Sequence, residues 1–257
     1  MTHITTKAIR EGKMNTLERI GYLIALILML LLCFPDCGTS APVTRTGTVT
    51  TITSTLQSSS QSVTVPADAT LAVVMASLWR NATNWIAANP VTLGGVNLTT
   101  LQRTDEQTGN EHAWLGYLVN PATGSQTLAW NWGAAPTEGV NIAVVFYKGV
   151  VTSNPVVSSG EQLTTDTDLT GLIAGPDDMM VGVAATYTSA PTVTDSGQTQ
   201  LAVMGPTAGA YGGFAEKLGA TGFYFTGGSN TTCAAAVFRG GLNYSNGGSI
   251  TIPDSGS

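Results

Sequence analysis

Charge is what this chain has least of. Asp, Glu, Lys and Arg make up only 10% of its 257 residues, against about 25% in an average soluble domain. Ten basic residues face sixteen acidic ones, the net charge is −6, and four of the ten lie before residue 20. Phosphate recognition rests on Lys and Arg, so nucleic acid is excluded as a partner. Exposed helix faces are normally rich in Lys and Glu. Their shortage, beside abundant Thr, Val and Gly, points to an all-β protein, and after residue 41 no segment of ten or more residues keeps a helical period.

Cysteine is nearly absent too. Cys33 and Cys37 lie at the end of an N-terminal apolar segment, which leaves Cys233 as a single thiol unable to make an internal bridge. Exported domains of this size bury enough core to do without disulfides. The common catalytic signatures are also missing: there is no G-x-S-x-G, no phosphate loop and no Cys-x-x-Cys. His112 is the one histidine beyond the N-terminal segment. A non-enzymatic protein is the expectation.

The N-terminus is a different kind of sequence. Lys7, Arg10, Lys13 and Arg19 precede the 15-residue run Ile20–Phe34, IGYLIALILMLLLCF. A basic stretch, an apolar run of this length and small residues after it make a secretory signal over residues 1–41; spanning a bilayer wants about 20 residues. Thr39-Ser40-Ala41 offers a cleavage site, and a cut after Ser40 avoids the obstruction of Pro42. A retained signal-anchor helix is the alternative. Leu32 before Cys33 and Asp36 before Cys37 lack the small residue a lipoprotein signal requires. The protein is therefore expected to be secreted or displayed at a surface, touching membrane only through this segment if it stays uncut.

Residues 42–62 are rich in Thr and Ser and keep no strict period of two, which reads as a stalk. The main domain is then expected over residues 63–240, followed by a polar, glycine-rich tail, 241–257. Within it, Asn141–Gly149 (NIAVVFYKG) is apolar almost without a break, the pattern of a strand covered on both faces. Cys233–Gly240 (CAAAVFRG) echoes it, with Phe238-Arg239-Gly240 in the place of Tyr147-Lys148-Gly149. Other runs repeat in the same order. Leu71–Ser77 is answered by Met179–Tyr187, the Pro90–Leu101 hairpin by 191–203, the Trp114 strand by Tyr211–Leu218, and Thr127–Trp132 by Gly222–Thr226. Gly94-Gly95 between two short apolar runs marks a hairpin turn. These patterns predict an antiparallel, jelly-roll-like β-sandwich of two related halves facing one another.

The order VTVP…LAVVMAS…VTLGG–VNL…AVVFYKGV resembles, over about residues 62–240, the secreted β-sandwich modules of bacterial surface proteins and of phage virion or tail proteins. The resemblance implies a structural or adhesive role, with a glycan, a surface protein or a virion protein as partner. It carries no site residues.

Candidate chemistry lies in two places. Trp79, Trp85, Trp114, Trp130 and Trp132 all fall in the first half. Flat indoles stack on sugar rings, so Trp79, Trp85, Trp130 and Trp132 form a candidate ligand face, with Trp114 read as core. The loop 104–112 holds Asp105, Glu106, Glu111 and His112, whose oxygen and nitrogen donors suit calcium or a transition metal. The same carboxylates support a rival reading, a glycan-degrading enzyme, if two of them flank a cleft. Asp166, Asp168, Asp177 and Asp178 read as turn residues. The leading expectation is a surface-displayed structural or adhesive module, carbohydrate-binding in its specific form, with a virion component as the alternative.

Overall fold

The computed structural model describes residues 40–242, apart from 80–85, 88, 104–110, 135, 137–138, 163–167, 188, 194, 208–209, 220–221 and 227–230. Of the expected signal or anchor segment 1–41 only Ser40 and Ala41, and of the expected tail 241–257 only Gly241 and Leu242, are among the described residues. Within them every regular element is a strand, and all pairings are antiparallel. The N-terminal half holds β1 (Ser40–Ala41), β2 (Thr44–Ser54), β3 (Ser58–Val65), β4 (Leu71–Trp79), β5 (Val91–Leu93), β6 (Val96–Asn97), β7 (Thr99–Arg103), β8 (Glu111–Val119), β9 (Gly124–Asn131) and β10 (Gly139–Lys148). The C-terminal half holds β11 (Val156–Gln162), β12 (Asp168–Thr170), β13 (Met179–Thr186), β14 (Thr192–Val193), β15 (Gln198–Thr207), β16 (Ala210–Leu218), β17 (Gly222–Thr226), β18 (Thr232–Phe238) and β19 (Gly241–Leu242).

Each half is itself a sandwich. In the first, a five-stranded sheet ordered β2-β10-β4-β8-β7 lies against a smaller one, β3-β9-β5-β6. In the second, β11-β18-β13-β16-β15 lies against β12-β17-β14, so the larger sheets share one strand order. Two halves facing across a single core would make two layers, and the structure has four. The alternation of side chains explains how. Along β4, Ala72, Val74, Ala76 and Leu78 enter the core of the first sandwich with Ile142, Val144 and Phe146 of β10. Leu71, Val73 and Met75 turn the other way and meet Val181, Val183, Phe214 and Phe238 of the second half. A third core, with Phe223 and Phe225, fills the second sandwich. The strands β4, β10, β13 and β18 are therefore buried on both faces, as their unbroken apolar runs require.

The layers touch reciprocally. β4 lies over β16 and β13 over β8; β10 lies over β16 and β18 over β8; β2 lies over β15 and β11 over β7. This is the pattern of a two-fold, self-complementary interface. Tyr147 and Phe238 hold equivalent places, since Tyr147 pairs with Leu71 and Phe238 with Met179, the first residues of β4 and β13.

Two ends follow from this frame. At the terminal end β1 pairs with β19, so the described chain begins and finishes side by side. Val43 is buried there and donates its N–H to Asp177 O at 2.9 Å, and Gly241 N donates to Gly149 O at 2.7 Å. At the far end β4 and β13 finish, and β8, β10, β16 and β18 begin.

The stalk expected over 42–62 is not one. β2 pairs with β10 and β3 with β9, and Ile52, Val63 and Val65 are buried, so these Thr-rich residues belong to the sandwich and the domain spans 40–242 rather than 63–240. The Gly94-Gly95 turn is where it was expected. Both glycines have positive φ, +58° and +79°, and they join Leu93 to Val96 as a two-residue hairpin needs. Among the described residues, register irregularities fall only where an edge strand of a five-stranded sheet meets its neighbour: β2 on β10, β7 on β8, β11 on β18 and β15 on β16. The inner pairings run without a break.

Candidate functional site

The far end of the inter-half core is polar. Ser77, Glu111, Asn141 and Thr232 sit there on β4, β8, β10 and β18, all buried and all on the faces that meet between the larger sheets. Asn141 Nδ2 donates to Ser77 Oγ at 3.4 Å, and Thr232 Oγ1 donates to the Glu111 carbonyl at 3.5 Å, linking the halves. Ser77 leans on the opposite sheet, where a Cβ on Gly212 would stand 2.5 Å from its Oγ. Trp79 and Tyr187 roof this region. Their rings stack at 4.3 Å with 23° between planes, and counting from Leu71 and Met179 they hold the same place in β4 and just past β13. Trp79 is 8% exposed and Tyr187 43%, so the tyrosine presents the open ring.

A second polar group lies toward the terminal end. Tyr147 OH donates to Glu216 Oε2 at 2.8 Å, and Arg45 Nη1 stands 3.5 Å from Glu216 Oε1. Burial pushes the Tyr147 phenol well above the ordinary tyrosine value, and the Glu216 charge and hydrogen bond add to the shift against a smaller opposing effect of Arg45. At the equivalent place in the other half, Phe238 meets Tyr117 edge to face at 5.7 Å. On the surface Thr46 and Lys148 hydrogen-bond Asp68, at 2.6 and 3.0 Å, and hold its carboxyl below the usual range. Asp178 caps the 175–178 turn as expected of it, accepting from Gly175 N at 2.7 Å and from Gly240 N at 2.8 Å.

The structure scatters the residues singled out in the sequence. Trp130 and Trp132 do share a face, but it is the inner one: Trp132 is fully buried, edge to face with Trp114 at 5.8 Å, and Trp130 reaches Leu56 O at 3.4 Å. Neither offers a ring to a sugar. Trp79 is at the far end under Tyr187, and Trp85 lies outside the described residues. Glu111 and His112 are consecutive in β8 and point to opposite faces, Glu111 with Trp79 toward the inter-half core and His112 with Leu78 toward the first sandwich. Both are buried, so they cannot ligate one ion together. Asp105 and Glu106 lie outside the described residues. Among the described residues no three of His, Cys, Asp and Glu come together as a metal would need.

Sequence reasoning missed Tyr187. The signal was there: an aromatic stands at the matching place in both repeated runs, LAVVMASLW and MMVGVAATY. It also missed the Arg45–Glu216–Tyr147 group, because the three residues are far apart in sequence and only the stacking of the halves brings them together. The chain matches no protein-family model, no curated protein and no solved structure.

Proposed function

We propose that this is an exported, non-enzymatic module of structural or adhesive kind, held by its terminal end and presenting its far end to a ligand. The observation that carries the reading is the pairing of β1 with β19. The described chain begins and ends there, at the opposite end from the Trp79–Tyr187 pair. The strands β4, β7, β9, β11, β13, β15 and β17 all finish toward the far end, and the end of a sandwich where the chain leaves its strands is a usual place for recognition. We read each half as a jelly roll: β2-β10-β4-β8 against β3-β9-β5 has the first strand beside the last, with β7 moved to the edge of the larger sheet.

A glycan is the ligand class this reading favours. Tyr187, backed by Trp79, gives a flat ring that is apolar with a hydroxyl at its rim, the character that suits a sugar face. The partner can equally be a glycosylated surface protein or virion protein, which shares that chemistry. The test is a glycan array probed with the whole chain and with Tyr187→Ala. Binding that falls about tenfold or more on losing the ring, the scale of one aromatic contact, supports the reading. No glycan retained, or equal binding by the variant, rejects the carbohydrate form of it.

A further inference from the structure

The two halves meet through a two-fold interface, yet the residues that meet differ between its two sides. We propose that these differences are a pairing code: the inter-half face of each half fits the opposite half, of its own chain or of a second copy, and rejects a half of its own kind. The proposal is independent of what the far end binds.

Register fixes which places are equivalent. Tyr147 answers to Phe238, Tyr117 to Glu216, Arg45 to Val156, Ser77 to Ala185 and Ala113 to Gly212. A two-fold pairing of like halves would therefore change each contact in a defined way. Second half against second half would set Glu216 against Phe238, with Val156 in the place of Arg45. The Glu216 carboxylate now accepts from Tyr147 OH at 2.8 Å and lies 3.5 Å from Arg45 Nη1; there it would be buried with neither. First half against first half would set Tyr147 against Tyr117 and leave no acid for Arg45. It would also bring Ala113 to the place of Gly212, where a Cβ stands 2.5 Å from Ser77 Oγ, an atom held by Asn141 Nδ2. The flanks differ as well. Gln102 Nε2 of β7 donates to Ser159 Oγ of β11 at 2.9 Å, whereas Val49 of β2 and Leu201, Ala202 and Met204 of β15 pack on the inter-half core. In the native pairing β7 lies over β11 and β2 over β15. Like halves would lay β7 over β2 or β11 over β15, polar against apolar. Charge, shape and polarity thus oppose the same wrong pairings, which is how an interface discriminates between similar partners. A chain whose halves part consequently joins other copies head to tail, first half to second.

The test begins with urea melts of the full chain. Tyr147→Phe sets an aromatic ring without a hydroxyl against Glu216, as second-with-second pairing would. Glu216→Tyr sets two phenols together, as first-with-first pairing would. Each is expected to lower the midpoint by about 0.5 M or more. The double variant rebuilds the Phe–Tyr meeting of the equivalent place and is expected to regain at least half of the combined loss, whereas unrelated packing defects would add. Losses that add overturn the proposal. Gly212→Ala with Ser77→Ala, which sets alanine against alanine as the two-fold sets Ala185 against Ala113, is the second pair should the aromatic variants not fold, and the same rule judges it. Pairing itself is read by native mass spectrometry on the full chain carrying a protease site within 149–155, where Thr152, Ser153 and Asn154 are exposed. The folded chain is cut, mixed with an isotope-labelled copy in moderate urea and returned to buffer. Complexes of one first and one second half, exchanged between the copies, are expected. First–first or second–second complexes in comparable amount overturn the proposal, and if the cut chain does not reassemble, the melts of the uncut chain decide.

Discussion

Phe238 is the residue whose loss should be felt furthest away. It belongs to β18 in the second half, yet its ring is buried between the two large sheets and meets Tyr117 of β8 edge to face. Replacing a buried Phe by Ala typically costs about 3–5 kcal/mol, of which the ring–ring contact supplies about 0.5–1.5 kcal/mol. With a slope of about 2–3 kcal/mol per molar urea, the midpoint of Phe238→Ala should fall by about 1–2 M. The assay is built into the chain. All five tryptophans lie between residues 79 and 132, in the first half, and none in the second, so indole fluorescence reports the first half while far-ultraviolet dichroism reports both. If the inter-half core makes the four layers one cooperative unit, the two signals move together although the substitution is in the other half. Phe225→Ala, confined to the core of the second sandwich, should shift both signals too. A fluorescence transition that stays at the wild-type midpoint while the dichroism shifts would refute the argument and make the halves independent.

The other predictions follow from the polar groups and close approaches. Folding raises the Tyr147 pKa above its unfolded value near 10, so the associated stability is present below pH 10 and is lost as pH rises beyond it, where the unfolded chain ionises first. Urea midpoints measured between pH 8 and 11 should fall less steeply for Tyr147→Phe, and parallel curves would contradict this. Tyr147→Phe and Glu216→Gln should also be non-additive by roughly 1 kcal/mol in a double-mutant cycle, the worth of a typical intramolecular hydrogen bond. Gly212→Ala places a methyl 2.5 Å from Ser77 Oγ and 2.9 Å from a ring carbon of Phe214; overpacking of this kind costs about 1–3 kcal/mol, and an undiminished thermal midpoint would show the sheets free to part. Thr50→Ala, on the edge strand β2, should change stability by no more than about 0.5 kcal/mol, read from the urea midpoint.

The central strands were legible because their chemistry leaves one reading. A run such as AVVFY has no polar side to turn to water, so β10 and its counterpart β18 had to be covered twice. What covers them was not legible, because sequence shows that a face is apolar and not which layer meets it. The stalk was misread for a related reason. β2 and β3 are exposed on one face, carry Thr and Ser there, and show only Ile52, Val63 and Val65 as buried anchors. In β2 the register also slips opposite Val144 and Phe146, which blurs the period of two. Trp130 and Trp132 illustrate the limit on sites. A spacing of two settles that they share a face but not whether that face looks in or out. Glu111 and His112 read as a polar loop because two ionisable residues in succession are rarely both buried, and here β8 begins with them.

A chain this poor in charge needs another way to stay apart from its copies. The outer strands of large sheets offer rows of unpaired N–H and C=O groups, and proteins commonly blunt them with lysines. β2, eleven residues of mostly Thr, Val and Ile, carries a single charge, Arg45. Yet β2, β7, β11 and β15 each slip register against their inner neighbour, β15 twice, while the strands between them run true. A slipped edge twists away and leaves no long straight template for another molecule to extend. On the larger sheets, edge protection lies in the shape of the borders rather than in their charges, and a substitution that straightened one of these four edges is expected to favour self-association without unfolding the domain.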